Sequence, residues 1–260
     1  MTRDIAFASA PHVAECDKVA MHMPATFDPK APFLLCVFLH GLEGDVPFED
    51  HIRRAIDQVG TSSANAVLVA PRFGRGARPG AFDDSAGFVS FIAEVQAELA
   101  AASVAAPAVA SAPIVLAAFS GGWRPLNAVL NGLQLPGNPL ADRLVGLLLL
   151  DSVYGPQSSA EIIAWQKARR AQTALLSIYG RDTMDDAPAA NRALIEALKE
   201  TGPVLTPASW SELKDFPPGT VAFFEVATPH LSIVDQGPPP NPIAAFLSLL
   251  GDRLQGFAAA

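Results

Sequence analysis

The sequence predicts an α/β fold, in which a doubly wound, mostly parallel sheet is flanked by helices. Short, continuously apolar runs recur along the chain. They lack the alternation of apolar and polar residues that is typical of a strand with one face exposed to solvent. Such runs are typical of strands buried on both faces of a parallel sheet. Segments with helical spacing separate the runs, as a parallel sheet requires. With 260 residues, of which 50% are hydrophobic, the chain can bury one large core, so we expect a single domain over residues 1–260.

The first half of the chain supplies a lead-in and two parallel strands. Residues 5–8 and 19–23 fit an antiparallel pair, and residues 33–39 (FLLCVFL) and 66–70 (AVLVA) fit buried strands. The helix between these two strands is indicated by apolar residues at helical spacing, with Gly60 placed to end it; they are Ile52, Ala55, Ile56 and Val59. The Gly- and Arg-rich residues 72–85 are predicted to form a long loop.

The second half repeats the pattern of helix and strand. A helix marked by Phe88 and Leu99, capped by Asp84 or Ser85, leads into the strand that ends at Phe119. Further strands are predicted at 145–150, 173–179 and 221–227, and further helices at 124–131, after Ser158-x-x-Glu161, at 190–200 and after Asn241. Because parallel strands share a direction, the residues that follow them should meet at one edge of the sheet, where ligands bind in such folds.

Composition excludes several classes of function. The 18 basic and 26 acidic residues give a net charge of -8, without a run of Lys or Arg, so we expect neither a nucleic acid nor a membrane surface as partner. Two cysteines do not make a disulfide framework, and the N-terminus lacks a signal-peptide pattern, so we expect a cytoplasmic protein. Glycine-rich dinucleotide or phosphate motifs and metal-ligand motifs are absent from the sequence, so no cofactor and no metal are expected.

The most informative stretch is residues 113–126, PIVLAAFSGGWRPL. An apolar strand ends abruptly at Ser120-Gly-Gly, and Pro125 then fits the first turn of a helix. A serine on so tight a turn needs small neighbours, which Ala118 and Gly122 provide, although the usual motif has Gly in place of Ala118. The stretch alone would also fit an ordinary turn between strand and helix, so the other strand ends must decide.

Those strand ends carry His40-Gly41, then Ser120, then Asp151 or Asp182, and finally His230. The order Ser, Asp, His together with the sharp turn at the serine resembles the α/β-hydrolase superfamily, and the resemblance covers nearly the whole chain. Residues 120–125 (SGGWRP) and 149–155 (LLDSVYG) are also similar to small bacterial members of that superfamily. The resemblance implies an α/β-hydrolase fold and a serine hydrolase without a large cap domain.

The resemblance also assigns roles to residues. Ser120 would be the nucleophile and His230 the base that accepts its proton. The acid that orients the imidazole would be Asp151, or alternatively Asp182, which follows the next strand but lies one residue short of the usual Gly-x-x-Asp spacing. His40 is expected to shape its loop rather than to transfer protons.

The backbone N–H groups of Gly121 and Leu42 are the natural pair of donors to an oxyanion. Trp123 and Tyr154, and with them Phe73 and Phe82, lie in or beside these loops and are candidates for a substrate pocket. We therefore predict hydrolysis of a small carboxylic ester through an acyl-enzyme. The alternatives are a peptidase or amidase with the same triad, and a non-catalytic binding protein that keeps the fold.

Overall fold

The computed structural model of the protein describes residues 1–11, 17–43, 47–74, 76–181, 187–213, 216–217, 219–237 and 239–257. These residues form a nine-stranded sheet whose strands are β1 (Thr2–Ala6), β2 (Lys18–His22), β3 (Leu34–Leu39), β4 (Ala66–Pro71), β5 (Ile114–Phe119), β6 (Leu144–Leu150), β7 (Ala174–Gly180), β8 (Val204–Leu205) and β9 (Val221–Val226). The helices are α1 (Phe48–Thr61), α2 (Gly87–Ala101), α3 (Ala106–Ser111), α4 (Trp123–Leu133), α5 (Pro156–Arg169), α6 (Ala187–Lys199), α7 (Ile233–Gln236) and α8 (Pro242–Phe257).

The strand order is β1-β2-β4-β3-β5-β6-β7-β9-β8, and the strands from β4 to β8 run parallel. The chain goes from β3 to β4 on one side and then returns to place β5 on the other side of β3. Winding therefore reverses at β3, which opens a crevice at the carboxyl ends of β3 and β5. The loop after β3 and the turn after β5 contact each other at this edge of the sheet.

Both faces of the sheet are covered by apolar side chains. In β3, Leu35, Val37 and Leu39 pack into the core beneath α2, α4 and α5, while Leu34, Cys36 and Phe38 pack into the core beneath α1, α7 and α8. All six residues of β3, of β4 and of β5 are buried. The continuous apolar runs of the sequence are explained by this two-sided burial.

The predicted strands lie within two residues of the observed ones, except that β1 begins at Thr2, three residues before its predicted start. Helix ends are less accurate: α1 begins at Phe48 and continues through Gly60 to Thr61. The cap predicted for α2 at Asp84 or Ser85 is wrong, since Ala86 occupies that position and the Asp84 carboxylate accepts its N–H (2.9 Å). Helix α5 begins before Ser158, whose hydroxyl accepts the N–H of Tyr154 (2.8 Å) instead of starting the helix.

Strand β8 is missed by the sequence reading because it has only two residues, too few for a pattern. In the part of the chain that the structure describes, no helix combines the length and the apolar character needed to cross a bilayer.

Candidate active site

Ser120 lies on the sharp turn between β5 and α4. Its φ of +51° falls in the left-handed region, which a non-glycine residue rarely adopts without a reason. The turn is packed against the end of β3 so closely that a Cβ on Gly122 would lie 2.2 Å from the carbonyl oxygen of Leu39. The small residue predicted after the serine is thus required by the close approach of two backbones.

His230 bridges Ser120 and Asp151. It follows β9 in a short 3-10 turn, and the Ser120 hydroxyl donates to its Nε2 (Oγ to Nε2, 2.9 Å). Its Nδ1–H donates to Oδ2 of Asp151 at 2.6 Å. The ring of Phe119 stacks on the imidazole with centroids 5.1 Å apart, which restricts its rotation. The three side chains form a continuous hydrogen-bonded chain, although they are 31 and 79 residues apart in sequence.

Asp151 follows β6, is fully buried and has a φ of +44°. Its N–H donates to the carbonyl of Ile178 (2.7 Å), and its Oδ1 accepts the N–H of Gly180 (3.2 Å). The hydroxyl of Tyr154 donates to the Asp151 carbonyl at 2.5 Å. These contacts hold the left-handed backbone and aim the carboxylate at His230. Asp151, the first of the two acids that the sequence offers, is thus in contact with the histidine; Asp182 lies outside the described residues.

The loop after β3 brings Leu42 beside the turn at Ser120. An ideal Cβ on Gly121 would lie 3.2 Å from the amide nitrogen of Leu42, and one on Gly41 would lie 2.8 Å from Cβ of Ser120. The two backbone N–H groups named from the sequence, those of Gly121 and Leu42, are therefore neighbours next to the serine. Two such donors are the number that an oxyanion hole commonly uses.

His40 fixes the peptide that carries the Leu42 N–H. It is fully buried, and its Nδ1–H donates to the carbonyl of Gly41 (2.7 Å) while its Nε2 accepts the N–H of Phe73 (2.9 Å). The carbonyl of Gly41 belongs to the same trans peptide as the N–H of Leu42, so holding one end orients the other. Burial lowers the pKa of His40 to about 4, and only a neutral ring can make both bonds. His40 shapes its loop, as the sequence suggests.

This buried histidine makes stability depend on pH. Because the pKa falls from 6.5 in the free residue to about 4 in the fold, the unfolded chain binds the proton more readily. The stabilisation is complete above about pH 6.5 and declines as the pH falls towards 4, so lowering the pH from 7.5 to 4.5 should cost roughly 2 to 3 kcal/mol through His40. Urea unfolding at pH 7.5 and at pH 4.5 measures this difference in the free energy of unfolding. In His40→Asn the loss between the two pH values should be smaller by that amount; an equal loss in both proteins contradicts the prediction.

Glu43 ties the same loop to the end of β4. Its carboxylate accepts two bonds from Arg72, at 2.9 Å from Nε and 2.7 Å from the terminal nitrogen. The hydrogen bond from Arg72 lowers the pKa of Glu43, and the guanidinium carbon lies 5.3 Å from the centre of the Phe48 ring. A bidentate pair of this kind fixes geometry better than a single contact does.

His51 is a site residue that the sequence reading misses, since no motif surrounds it. It lies on α1 and is buried. Its ring lies 5.5 Å from that of Phe119 and 6.2 Å from that of His40, and burial lowers its pKa. The one available signal is its place on the buried face of the first helix, next to Ile52.

The residues suggested for a substrate pocket divide into two groups. Phe73 and Phe82 are buried core residues whose rings pack edge to face, with centroids 5.7 Å apart. Trp123 begins α4 directly after the turn and is half-buried, with the Arg124 guanidinium 5.0 Å from its ring centre. Tyr154 is half-buried, 6.4 Å from the His230 ring. Trp123 and Tyr154 thus border the candidate site. Within the described ranges, no three His, Cys, Asp or Glu side chains are grouped as metal ligands.

No protein-family model matches the chain, and no curated protein is similar to it at a significant level. Several solved structures of esterase 2 from Thermogutta terrifontis are similar. The apo form shares 15% identity over 97% of this chain and 93% of that chain, with a TM-score of 0.58. The form phosphorylated by paraoxon shares 15% identity over 97% and 92%, with a TM-score of 0.59. The butyrate-bound form shares 14% identity over 96% and 92%, with a TM-score of 0.55.

Proposed function

We propose that this chain, which has the α/β-hydrolase fold, is a serine hydrolase that cleaves carboxylic esters through an acyl-enzyme. One observation carries the proposal: His230 bonds to Oγ of Ser120 at 2.9 Å and to Oδ2 of Asp151 at 2.6 Å. A serine hydroxyl is a weak nucleophile by itself, and a base within hydrogen-bond reach activates it. The separation of the serine and imidazole atoms lies within that reach.

In the first half of the reaction, Oγ of Ser120 attacks the ester carbonyl carbon while its proton passes to Nε2 of His230. The buried carboxylate of Asp151 stabilises the imidazolium that forms and keeps its Nδ1–H in place. The negative charge that develops on the carbonyl oxygen is met by the N–H groups of Gly121 and Leu42. The carbonyl then re-forms as the bond between its carbon and the alkoxy oxygen breaks, and the imidazolium protonates that oxygen. The alcohol departs, and the acyl group remains bonded to Oγ of Ser120.

In the second half, water enters where the alcohol stood. His230 takes a proton from this water, the resulting oxygen attacks the acyl carbonyl, and Ser120 recovers its proton as the acid leaves. Side chains and water balance every step, so the proposed reaction needs no cofactor.

The similar solved structures favour an ester over an amide as the substrate. The similar solved structures are esterases, with forms that hold butyrate or propionate and forms phosphorylated or phosphonylated by organophosphorus compounds. A nucleophilic serine in an accessible site would react with such compounds in the same way. We extend both properties to this chain as part of the proposal.

The test is labelling of the folded protein with a fluorophosphonate probe, followed by peptide mapping and by assays with p-nitrophenyl acetate and the matched p-nitroanilide. We expect one probe per chain on Ser120, loss of labelling after heat denaturation, and faster cleavage of the ester than of the anilide. Faster cleavage of the anilide would make the chain an amidase. A folded chain that neither labels nor cleaves would be a binding protein, and the proposal would be wrong.

A further inference from the structure

Two of the large apolar side chains that the fold leaves in solvent stand next to the proposed catalytic residues. Leu42 is 46% exposed and Leu231 is 47% exposed. In the described part of the chain, only Met1, Leu135 and Leu205 are large apolar residues of similar exposure. Leu42 carries a proposed oxyanion donor, and Leu231 directly follows His230. Exposed apolar residues scattered singly need no explanation, but two at one site point to an apolar ligand.

Helix α1 contacts both of the loops that carry the two leucines. The His51 ring packs against the ring of His40, the first residue after β3 (centroids 6.2 Å apart), and Arg54 donates to the carbonyl oxygen of Leu231 at 2.6 Å. Since His51 and Arg54 are three residues apart, they lie on the same face of the helix, one turn from each other. The loop after β3 and the loop after β9 are thereby fixed to a single short stretch of α1, although they are distant in sequence.

The side chain of Leu42 reaches over the turn at the serine. An ideal Cβ on Gly121 would lie 3.0 Å from both Cγ and Cδ2 of Leu42. The isobutyl group thus covers Gly121 directly beside Ser120, with the other half of its surface open to solvent. Leu42 and Leu231 together are called the leucine rim below.

The two arginines that contact the loops of the leucine rim, Arg72 and Arg54, have carboxylate partners. Arg72 forms its bidentate pair with Glu43, and Arg54 lies 3.8 Å from the Asp235 carboxylate besides bonding Leu231. A charged substrate would have to compete with these acids. The chemistry at the rim therefore favours an uncharged hydrocarbon group.

We infer that the leucine rim binds the hydrocarbon alcohol part of the ester and makes the enzyme prefer esters of longer, uncharged alcohols. The inference rests on the proposed function, because the proposed mechanism determines which side of the site holds the alcohol part and which side holds the acyl part. His230 protonates the departing alcohol oxygen, so this oxygen must come within reach of Nε2. The chain attached to it then leaves past the residues next to His230, where Leu231 is exposed.

The test is the hydrolysis of ethyl, butyl and hexyl acetate, with the released acid measured by pH-stat titration. Full burial of a methylene group gives about a fourfold gain, and partly exposed leucines should give about half of it, roughly twofold per methylene. We therefore expect kcat/KM of the wild-type protein to rise about tenfold or more from ethyl to hexyl acetate. Leu231→Ser should flatten this series, and Leu42→Ser should reduce its slope.

Two controls separate this role from a general structural effect. Leu135→Ser replaces a leucine of equal exposure (47%) just beyond α4, and it should leave the slope as in the wild-type protein. The slope across p-nitrophenyl acetate, butyrate and hexanoate should also survive Leu231→Ser, because these esters differ only in the acyl group. If Leu231→Ser flattens the acyl series instead, the rim binds the acyl chain and the inference is wrong.

The two proposals fail in different ways. The inference about the leucine rim is wrong if the wild-type protein cleaves ethyl acetate without any preference for hexyl acetate. It is also wrong if the Leu231→Ser variant keeps that preference. Neither result contradicts the proposed esterase function. A wild-type protein that cleaves no ester in either series overturns the proposed function itself.

Discussion

Replacement of Asp151 by Asn is expected to lower kcat for ester hydrolysis by about 10⁴-fold and to leave the fold intact. Asn has the same shape, and its Oδ1 can still accept the N–H of Gly180, as the carboxylate does at 3.2 Å. That bond turns the amide NH₂ towards His230. An NH₂ group donates, so it pairs with a ring whose Nδ1 is unprotonated and whose Nε2 carries the proton. Such a ring cannot accept the proton of Ser120.

Asp182→Asn is the matched control, since it removes the other acid that the sequence offers at a strand end. Steady-state kinetics with p-nitrophenyl acetate, together with far-ultraviolet circular dichroism to check the fold, should show full activity in Asp182→Asn and the large loss in Asp151→Asn alone. The opposite result, with Asp151→Asn active and Asp182→Asn inactive, would transfer the role of the acid to Asp182.

The sequence predicts which strand ends meet, because the direction of parallel strands follows from their connections. It could not choose between Asp151 and Asp182. Proximity to His230 depends on the left-handed backbone at Asp151, with φ of +44°, and on its bonds to Ile178 and Gly180 on the neighbouring strand β7. A non-glycine residue in that conformation leaves no trace in apolar periodicity.

The contacts that hold the loops around the site could not be predicted from the sequence either. Arg54 holds Leu231 across 177 residues, and Arg72 holds Glu43 across 29. His51 looks unremarkable in the chain, because its importance comes only from packing between Phe119 and the loop after β3. Local motifs fix the position of a reacting group along the chain, whereas the contacts that aim it come from elements brought together by the whole fold.

Gly41→Ala is expected to lower kcat/KM for esters by about 10²-fold with a smaller effect on stability. The φ of Gly41 suits an alanine, so the backbone itself is not strained. The added methyl group would lie 2.8 Å from Cβ of Ser120 and 3.3 Å from the Phe119 carbonyl oxygen, which forces the loop away from the turn. The Leu42 N–H would move with it, and loss of one oxyanion donor costs about 10² to 10³-fold in rate. Such overpacking typically destabilises a fold by 1 to 3 kcal/mol.

Gly60→Ala is the matched control, because an added Cβ there meets nothing within 4 Å and the residue lies inside α1. This variant should keep wild-type activity and gain about 0.5 to 1 kcal/mol of unfolding free energy from the better helix former. Kinetics and urea unfolding of both variants separate a local effect on the reaction from a general loss of structure. Wild-type kcat/KM in a folded Gly41→Ala would mean that the Leu42 N–H takes no part in stabilising the oxyanion, and the second donor would have to be sought elsewhere in the crevice between β3 and β5.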